Sequence, residues 1–327
     1  METLTVTPNL PPNLPVVSAA ETITRLEASI GRVVRGKPEA IRLAVVALLA
    51  HGHVLVEDVP GVGKTTLASA VARSLGLAFQ RIQFTSDLLS SDITGVSIFN
   101  QHTQSFEFVP GPLFTNVVLA DEINRASPKT QSSLLEAMSE RKVSVDRKRY
   151  VLPEPFVVLA TQNPLEYHGT FPLPESQLDR FLLSLSLGYP PPAEERALLL
   201  SGGAEEALAA TEAVVSKDEL LALQAEAARV RVADKLADYV LALAEATRSG
   251  GEFLLGVSTR GAQALVRAAQ GFALAEGRDF VVPDDVQRLA GPVLAHRVVL
   301  RRGSGGSDFG ASRAAIARVL ERIPVPL

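Results

Sequence analysis

Along this chain, short apolar runs alternate with stretches whose apolar positions recur every three or four residues. His53–Glu57, Ala78–Phe84, Asn116–Ala120, Phe156–Ala160 and Phe181–Leu187 read as strands. Thr65–Leu75 and Pro128–Glu140, lying between them, read as helices. Apolar strands separated by helices predict an α/β fold, a mostly parallel sheet covered on both faces. Two further helices precede the first strand. Ala19–Gly31 places Ile23, Leu26 and Ile30 at helical spacing, and Lys37–Ala50 tolerates Pro38 in its first turn. Two alternating pairs read as inserted hairpins: Val96–Phe99 with Ser105–Val109, and Lys142–Val145 with Arg149–Leu152, the latter turning at Asp146-Arg147-Lys148.

The pattern changes after Tyr189-Pro190-Pro191-Pro192. Ala193–Leu200, Asp218–Arg229, Lys235–Arg248, Thr259–Ala275 and Pro283–Leu300 all have helical periodicity, and no strand-like run follows. A Gly-Ser-rich link, Gly303–Ser307, precedes a last helix at Ala311–Ile323. The expected organisation is a flexible arm over residues 1–17, an αβα domain over 18–190 and a smaller all-α domain over 191–327.

Composition narrows the chemistry. Of 327 residues, 46% are apolar and 21% charged, the balance of a soluble globular protein. A net charge of −4 weighs against nucleic acid as the main partner. No cysteine is present, which removes disulfides and thiolate chemistry and fits a reducing cytoplasm. Neither a signal peptide nor a bilayer-spanning run is expected.

The first strand runs into Asp58-Val59-Pro60-Gly61-Val62-Gly63-Lys64-Thr65-Thr66, and a helix follows. Strand, glycine-rich turn, Gly-Lys-Thr and helix make up the context of a phosphate-binding loop. Its backbone N–H groups and the helix N-terminus would face the phosphates of ATP. Lys64 is expected on the β- and γ-phosphates, and the Thr65 hydroxyl on Mg2+. The loop opens with Asp58 where the strict pattern has glycine, and Asp tolerates left-handed backbone angles better than most residues.

The strand Asn116–Ala120 ends in Asp121-Glu122, and ligands of open α/β sheets bind at the carboxyl ends of the strands. Asp121 is expected in the magnesium shell, with Glu122 orienting and deprotonating the attacking water. The next strand ends in Thr161-Gln162-Asn163-Pro164, and the Asn163 amide would contact that water and a γ-phosphate oxygen. Taken singly, an acidic pair is a solvated strand end and Asn-Pro is a turn. Their order behind a phosphate loop is what lends them meaning.

These residues carry a resemblance. Asp58–Thr65 resembles the Walker A loop of AAA+ ATPases, Val117–Glu122 a Walker B strand and Ala160–Pro164 a sensor 1. Ser91–Gly95, Asp121–Ala126, and above all the run Gly169-Thr170-Phe171-Pro172-Leu173-Pro174-Glu175-Ser176-Gln177-Leu178-Asp179-Arg180-Phe181 resemble the MoxR family, as do Val282–Val286 and Leu294–Val298. The resemblance implies a P-loop AAA+ αβα sandwich with a five-stranded parallel sheet, followed by a helical lid. It implies an ATPase working as a ring, with a hexamer expected, that remodels or matures partner proteins, and a von Willebrand factor A domain protein as partner. The client stays unnamed. By position, Arg180 resembles the arginine finger given to a neighbouring subunit, and Arg260, behind the N-cap Ser258, resembles sensor 2 closing the lid over the phosphates. Val34 and Gly36 would lie at the adenine. The hairpins resemble inserts that face the ring's pore, although Arg147, Lys148 and Arg149 also suit an ordinary solvated turn. Two other readings compete. A nucleic-acid-remodelling motor shares the hairpins but is opposed by the acidic balance. A small-molecule P-loop kinase leaves the helical second half unexplained.

Overall fold

The computed structural model describes residues 18–163, 169–200, 204–249, 251–301 and 309–326. The expected arm, Pro164 and the Gly303–Ser307 link lie outside the described residues. Helices α1 (Ala19–Val33) and α2 (Pro38–Leu49) come first. A reciprocal Ser18–Glu21 capping box starts α1, satisfying N–H groups that the first helical turn leaves open. Strand β1 (Val54–Glu57) then leads into α3 (Lys64–Ser74), β2 (Phe79–Gln83) and α4 (Ser90–Thr94). A hairpin of β3 (Gly95–Asn100) and β4 (Ser105–Pro110) follows, then β5 (Val117–Asp121) and α5 (Pro128–Glu140). The second hairpin pairs β6 (Lys142–Val145) with β7 (Lys148–Val151) through a two-residue turn. Asp146 and Arg147 both adopt positive φ there, as such turns require, so Lys148 belongs to the strand. Strand β8 (Val157–Gln162), α6 (Glu175–Leu178) and β9 (Leu183–Leu185) complete this half.

Five strands form one parallel sheet in the order β2-β5-β8-β1-β9. The inner strands β5 and β8 are buried almost throughout, which is why their sequences show no polar alternation. Their side chains still divide by parity. Val54, Val56, Val117, Leu119, Val157 and Leu159 point into one apolar cluster with α1, α2 and α3. Leu55, Val118, Ala120, Val158 and Ala160 point into the other, with α5, Phe84 and Phe181. Because β1 lies between β8 and β9, the carboxyl ends of β1, β8 and β5 stand side by side at the point where strand order reverses.

The second half is helical: α7 (Pro192–Leu200), α8 (Glu205–Ala209), α9 (Lys217–Ala227), α10 (Asp234–Ser249), then β10 (Phe253–Leu255), α11 (Thr259–Ala275), α12 (Pro283–Leu294), β11 (Val299–Leu300) and α13 (Phe309–Arg322). Two expectations are corrected here. The helix expected over Pro283–Leu300 stops at Leu294, and an antiparallel β10–β11 ribbon occurs where no strand was expected. The cause is tertiary. His296 and Arg297 are buried and bonded to main-chain oxygens near Phe181, which holds a 3-10 turn at Ala295–Arg297 in place of a continuing helix. The change of element type near residue 190 does not divide the core. The cluster around α1 and α2 continues into α9, α11 and α12. Buried Gln224 donates to Leu48 O at 2.7 Å, and Gly271 lets α11 approach α2 so closely that a Cβ would stand 3.2 Å from Val46 O.

Candidate functional site

The loop after β1 turns on two glycines. Gly61 has φ 84° and Gly63, the N-cap of α3, has φ 95°. These are left-handed angles that a side chain would strain. Lys64 begins the helix and folds back, donating from Nζ to Asp58 O at 3.0 Å and Val59 O at 2.9 Å. Asp58 is not among the residues with positive φ, so left-handed tolerance does not account for it. Its carboxylate works as an acceptor instead. Oδ2 receives Ser186 Oγ at 3.0 Å, Leu187 N at 2.5 Å and Gly188 N at 2.7 Å, while Oδ1 receives Val59 N at 3.1 Å. The start of the loop is thereby bonded to the segment leaving β9.

At the tip of β5 the two carboxylates are held differently. Asp121 Oδ1 accepts the Thr161 hydroxyl at 2.6 Å, and Oδ2 accepts the Arg81 guanidinium from Nη2 at 2.6 Å and Nε at 3.2 Å. Glu122 has φ 57°, a left-handed angle uncommon outside glycine. Its own N–H donates to Thr161 Oγ1 at 2.9 Å. Thr161 thus bridges both acidic residues through one hydroxyl, and it is 1% exposed. Glu122 Oε2 also accepts Gln83 Nε2 at 2.8 Å and Arg125 Nη1 at 2.9 Å.

Loop and tip face each other across a cleft of about 380 Å³. Pro60, Gly61, Gly63, Lys64, Thr65 and Thr66 line one side, with Asp121, Glu122 and Asn163 opposite. Val59 and Val62 shape the loop without lining the cleft, and Val62 packs on the core. Arg81, Gln83 and Thr161 also line it, and sequence reasoning gave none of them a role. Thr161 was in view within the sensor stretch. Arg81 and Gln83 reach the cleft only because β2 pairs in parallel register with β5, Gln83 beside Asp121. The donor set fits ATP with Mg2+. An ammonium, a helix N-terminus and hydroxyls suit phosphates, and a carboxylate with a threonine hydroxyl suits a hard, oxygen-seeking cation.

Other expected residues lie elsewhere. Arg180 is half-buried against α5, donating from Nη1 to Leu135 O at 2.8 Å and Ser139 Oγ at 2.5 Å. Arg260 is exposed in the first turn of α11 and near two other arginines, Arg267 and Arg297. Neither is among the residues that line the cleft. Ser258 caps α11, as expected, by accepting Gly261 N at 2.9 Å. Val34 is buried, and Gly36, at φ 70°, lies against the proline run, where a Cβ would stand 2.7 Å from Pro191 Cδ. Gly36 thus sits beside the start of the lid.

Known proteins resemble this chain over most of its length. Residues 53–183 match the ATPase family associated with various cellular activities (AAA), and residues 245–316 match the AAA lid domain. The chain is 49% identical to the uncharacterized protein YeaC of Bacillus subtilis, covering 91% of this chain and 93% of that one. It is 40% identical to Chaperone MoxR1 of Mycobacterium tuberculosis, covering 95% and 84%. The solved structure of a candidate ATPase from Cytophaga hutchinsonii superposes with a TM-score of 0.83 at 35% identity, covering 94% and 96%. No helix among the described residues is long and apolar enough to cross a membrane. Sequence, fold and cleft together show that the chain belongs to the MoxR family of AAA+ ATPases.

Proposed function

We propose that the protein hydrolyses ATP to ADP and phosphate in a cytoplasmic ring, and uses the cycle to remodel or mature partner protein complexes. The observation that carries the chemical part is the convergence of Lys64, Thr65, Asp121, Glu122 and Asn163 on one cleft from three separate segments. In this reading the loop amides and Lys64 bind the β- and γ-phosphates. Glu122 takes the proton of the attacking water, and the Asn163 amide orients that water. Thr65 and Asp121 would hold Mg2+, which when bound offsets phosphate charge. Arg180 is offered to the neighbouring subunit's γ-phosphate, which makes a ring, with six subunits expected, part of the catalytic unit. Arg260 completes the site from the lid, and Val34 with Gly36 borders the adenine. The name of the mycobacterial relative, a chaperone, supports the remodelling role. The family resemblance supports a von Willebrand factor A domain protein as partner. Glu122→Gln tests the chemistry. It should keep ATP affinity while slowing hydrolysis by about 10²–10⁴-fold, the usual contribution of a general base. Hydrolysis near the wild-type rate would remove Glu122 from that role.

A further inference from the structure

Arg81 is a cation inside the phosphate cleft that none of the motifs accounts for. It stands on edge strand β2, where Ile82 turns into the core and Arg81 and Gln83 share the opposite face. Its guanidinium binds Asp121 Oδ2 through both Nη2 and Nε, and Nη2 also donates to Gln83 Oε1 at 3.0 Å. Gln83 in turn donates to Glu122. One guanidinium therefore neutralises the first acidic residue and fixes the amide that holds the second.

The Asp121 side chain is only 11% exposed, so its charge needs a partner close by. Burial decides what kind of partner Arg81 is. In the Arg297–Asp179 pair the side chains are 2% and 18% exposed, a permanent clamp. The Arg81 side chain is 50% exposed, and such a pair exchanges at little cost. Asp121 is also the carboxylate that the proposed function gives to Mg2+, and the present inference rests on that reading. Two cations on one carboxylate repel, so arrival of one favours departure of the other.

We propose that Arg81 is the resident counter-cation of Asp121 and is exchanged for the magnesium ion that enters with the nucleotide. Leaving Oδ2 also takes the guanidinium from Gln83, loosening the amide that bonds Glu122. Magnesium loading and release of the general base then share one movable side chain.

The test measures binding, not turnover. The dissociation constant of a fluorescent, non-hydrolysable ATP analogue is determined on the full chain in EDTA and in excess Mg2+. Arg81→Gln leaves Asp121 bare beside the phosphates when Mg2+ is absent and removes a competitor when it is present. Both effects raise the ratio of the EDTA constant to the Mg2+ constant, by about fivefold, the upper range for a partly exposed ion pair. An unchanged or smaller ratio overturns the proposal. The same substitution in an Asp121→Asn background should leave the ratio where Asp121→Asn alone puts it. A rise there would mean that Arg81 acts on the phosphates directly, and the proposal fails. If wild-type protein binds the analogue in neither buffer, the proposed function itself falls and this inference with it. Binding with an invariant ratio removes only the inference.

Discussion

Thr161 shows how much one hydroxyl can hold. It donates to Asp121 and accepts from the Glu122 N–H while almost wholly buried, so water cannot replace it. Glu122 sits at a left-handed backbone angle that costs energy unless its surroundings fix it, and this bond is one of the fixings. Thr161→Val keeps the shape and deletes the bonds. An orphaned buried donor costs about 1–3 kcal/mol. Expressed in the transition state, that is a loss of about 5- to 150-fold in hydrolysis rate. Steady-state hydrolysis should fall within that span while nucleotide affinity changes little, and a variant as fast as wild type would show that Glu122 is positioned by other contacts. Sequence made the motif residues legible because their chemistry depends on local spacing: glycines where the turn needs them, Lys64 where the helix begins. Thr161, Gln83 and Arg81 were opaque because their roles depend on strand register, which links residues about forty apart in the chain.

Elements are tied together here by side chains bonding to main chain, and two of these ties carry predictions. Asp58 joins the phosphate loop to the segment after β9 by accepting from Leu187 N and Gly188 N. Asp58→Ala strands both N–H groups and should destabilise the fold by about 2–4 kcal/mol. Asp58→Asn, which keeps one carbonyl acceptor, should lose less. Denaturant unfolding of the two variants checks this order, and equal losses would mean that the bonds contribute little beyond packing. His53, just ahead of β1, accepts from Val158 N at 3.0 Å through Nδ1, so Nε2 carries the proton and donates to Met138 O at 3.0 Å. Burial drives its pKa down from the ordinary 6.5 to about 4. The folded ring resists protonation that the unfolded ring accepts, so this stability is fully present above pH 6.5 and drains away as pH falls towards 4, by about 3 kcal/mol in all. His296 is depressed by burial and the adjacent Arg297 and adds in the same direction. The denaturation midpoint should drop across that window, and less steeply in His53→Gln. Equal slopes in the two proteins would clear His53 of the effect. Element types were readable from periodicity where elements were long, as Pro128–Glu140 and Thr259–Ala275 illustrate. The β10–β11 ribbon was not, since strands of three and two residues show no period and pair across segments far apart in the chain.

On the scale of the whole molecule, the question is why Arg180 stands apart from the cleft of its own chain. It follows Asp179, and Asp179 is gripped from the lid by Arg297 Nε at 2.8 Å and by Ser258 Oγ at 3.0 Å. Arg297 also donates to the carbonyl oxygens of Leu182 and Phe181, on the far side of Arg180. The segment bearing Arg180 is therefore bonded on one side to the N-cap of α11 and the turn after α12 and on the other, through the Arg180 guanidinium, to α5, while the loop that would hold phosphate is bonded through Asp58 to the chain leaving β9. A lid shift within one subunit would pull on the segment that carries Arg180, and in a ring that pull would be felt at the next subunit's phosphates. This reading makes a prediction that a self-contained site does not. Arg180→Ala should bind ATP and lose about 10³-fold or more in hydrolysis, the usual weight of such an arginine. Glu122→Gln should be inactive for a separate reason. Mixed in one ring, a subunit with intact Glu122 can sit beside a neighbour with intact Arg180, so a site is completed from two defective chains. Activity should rise well above that of either variant alone and pass through a maximum as the mixing ratio changes. Mixed rings that assemble by size-exclusion chromatography, bind ATP, and still stay as silent as their parents would mean that Arg180 serves its own subunit or none.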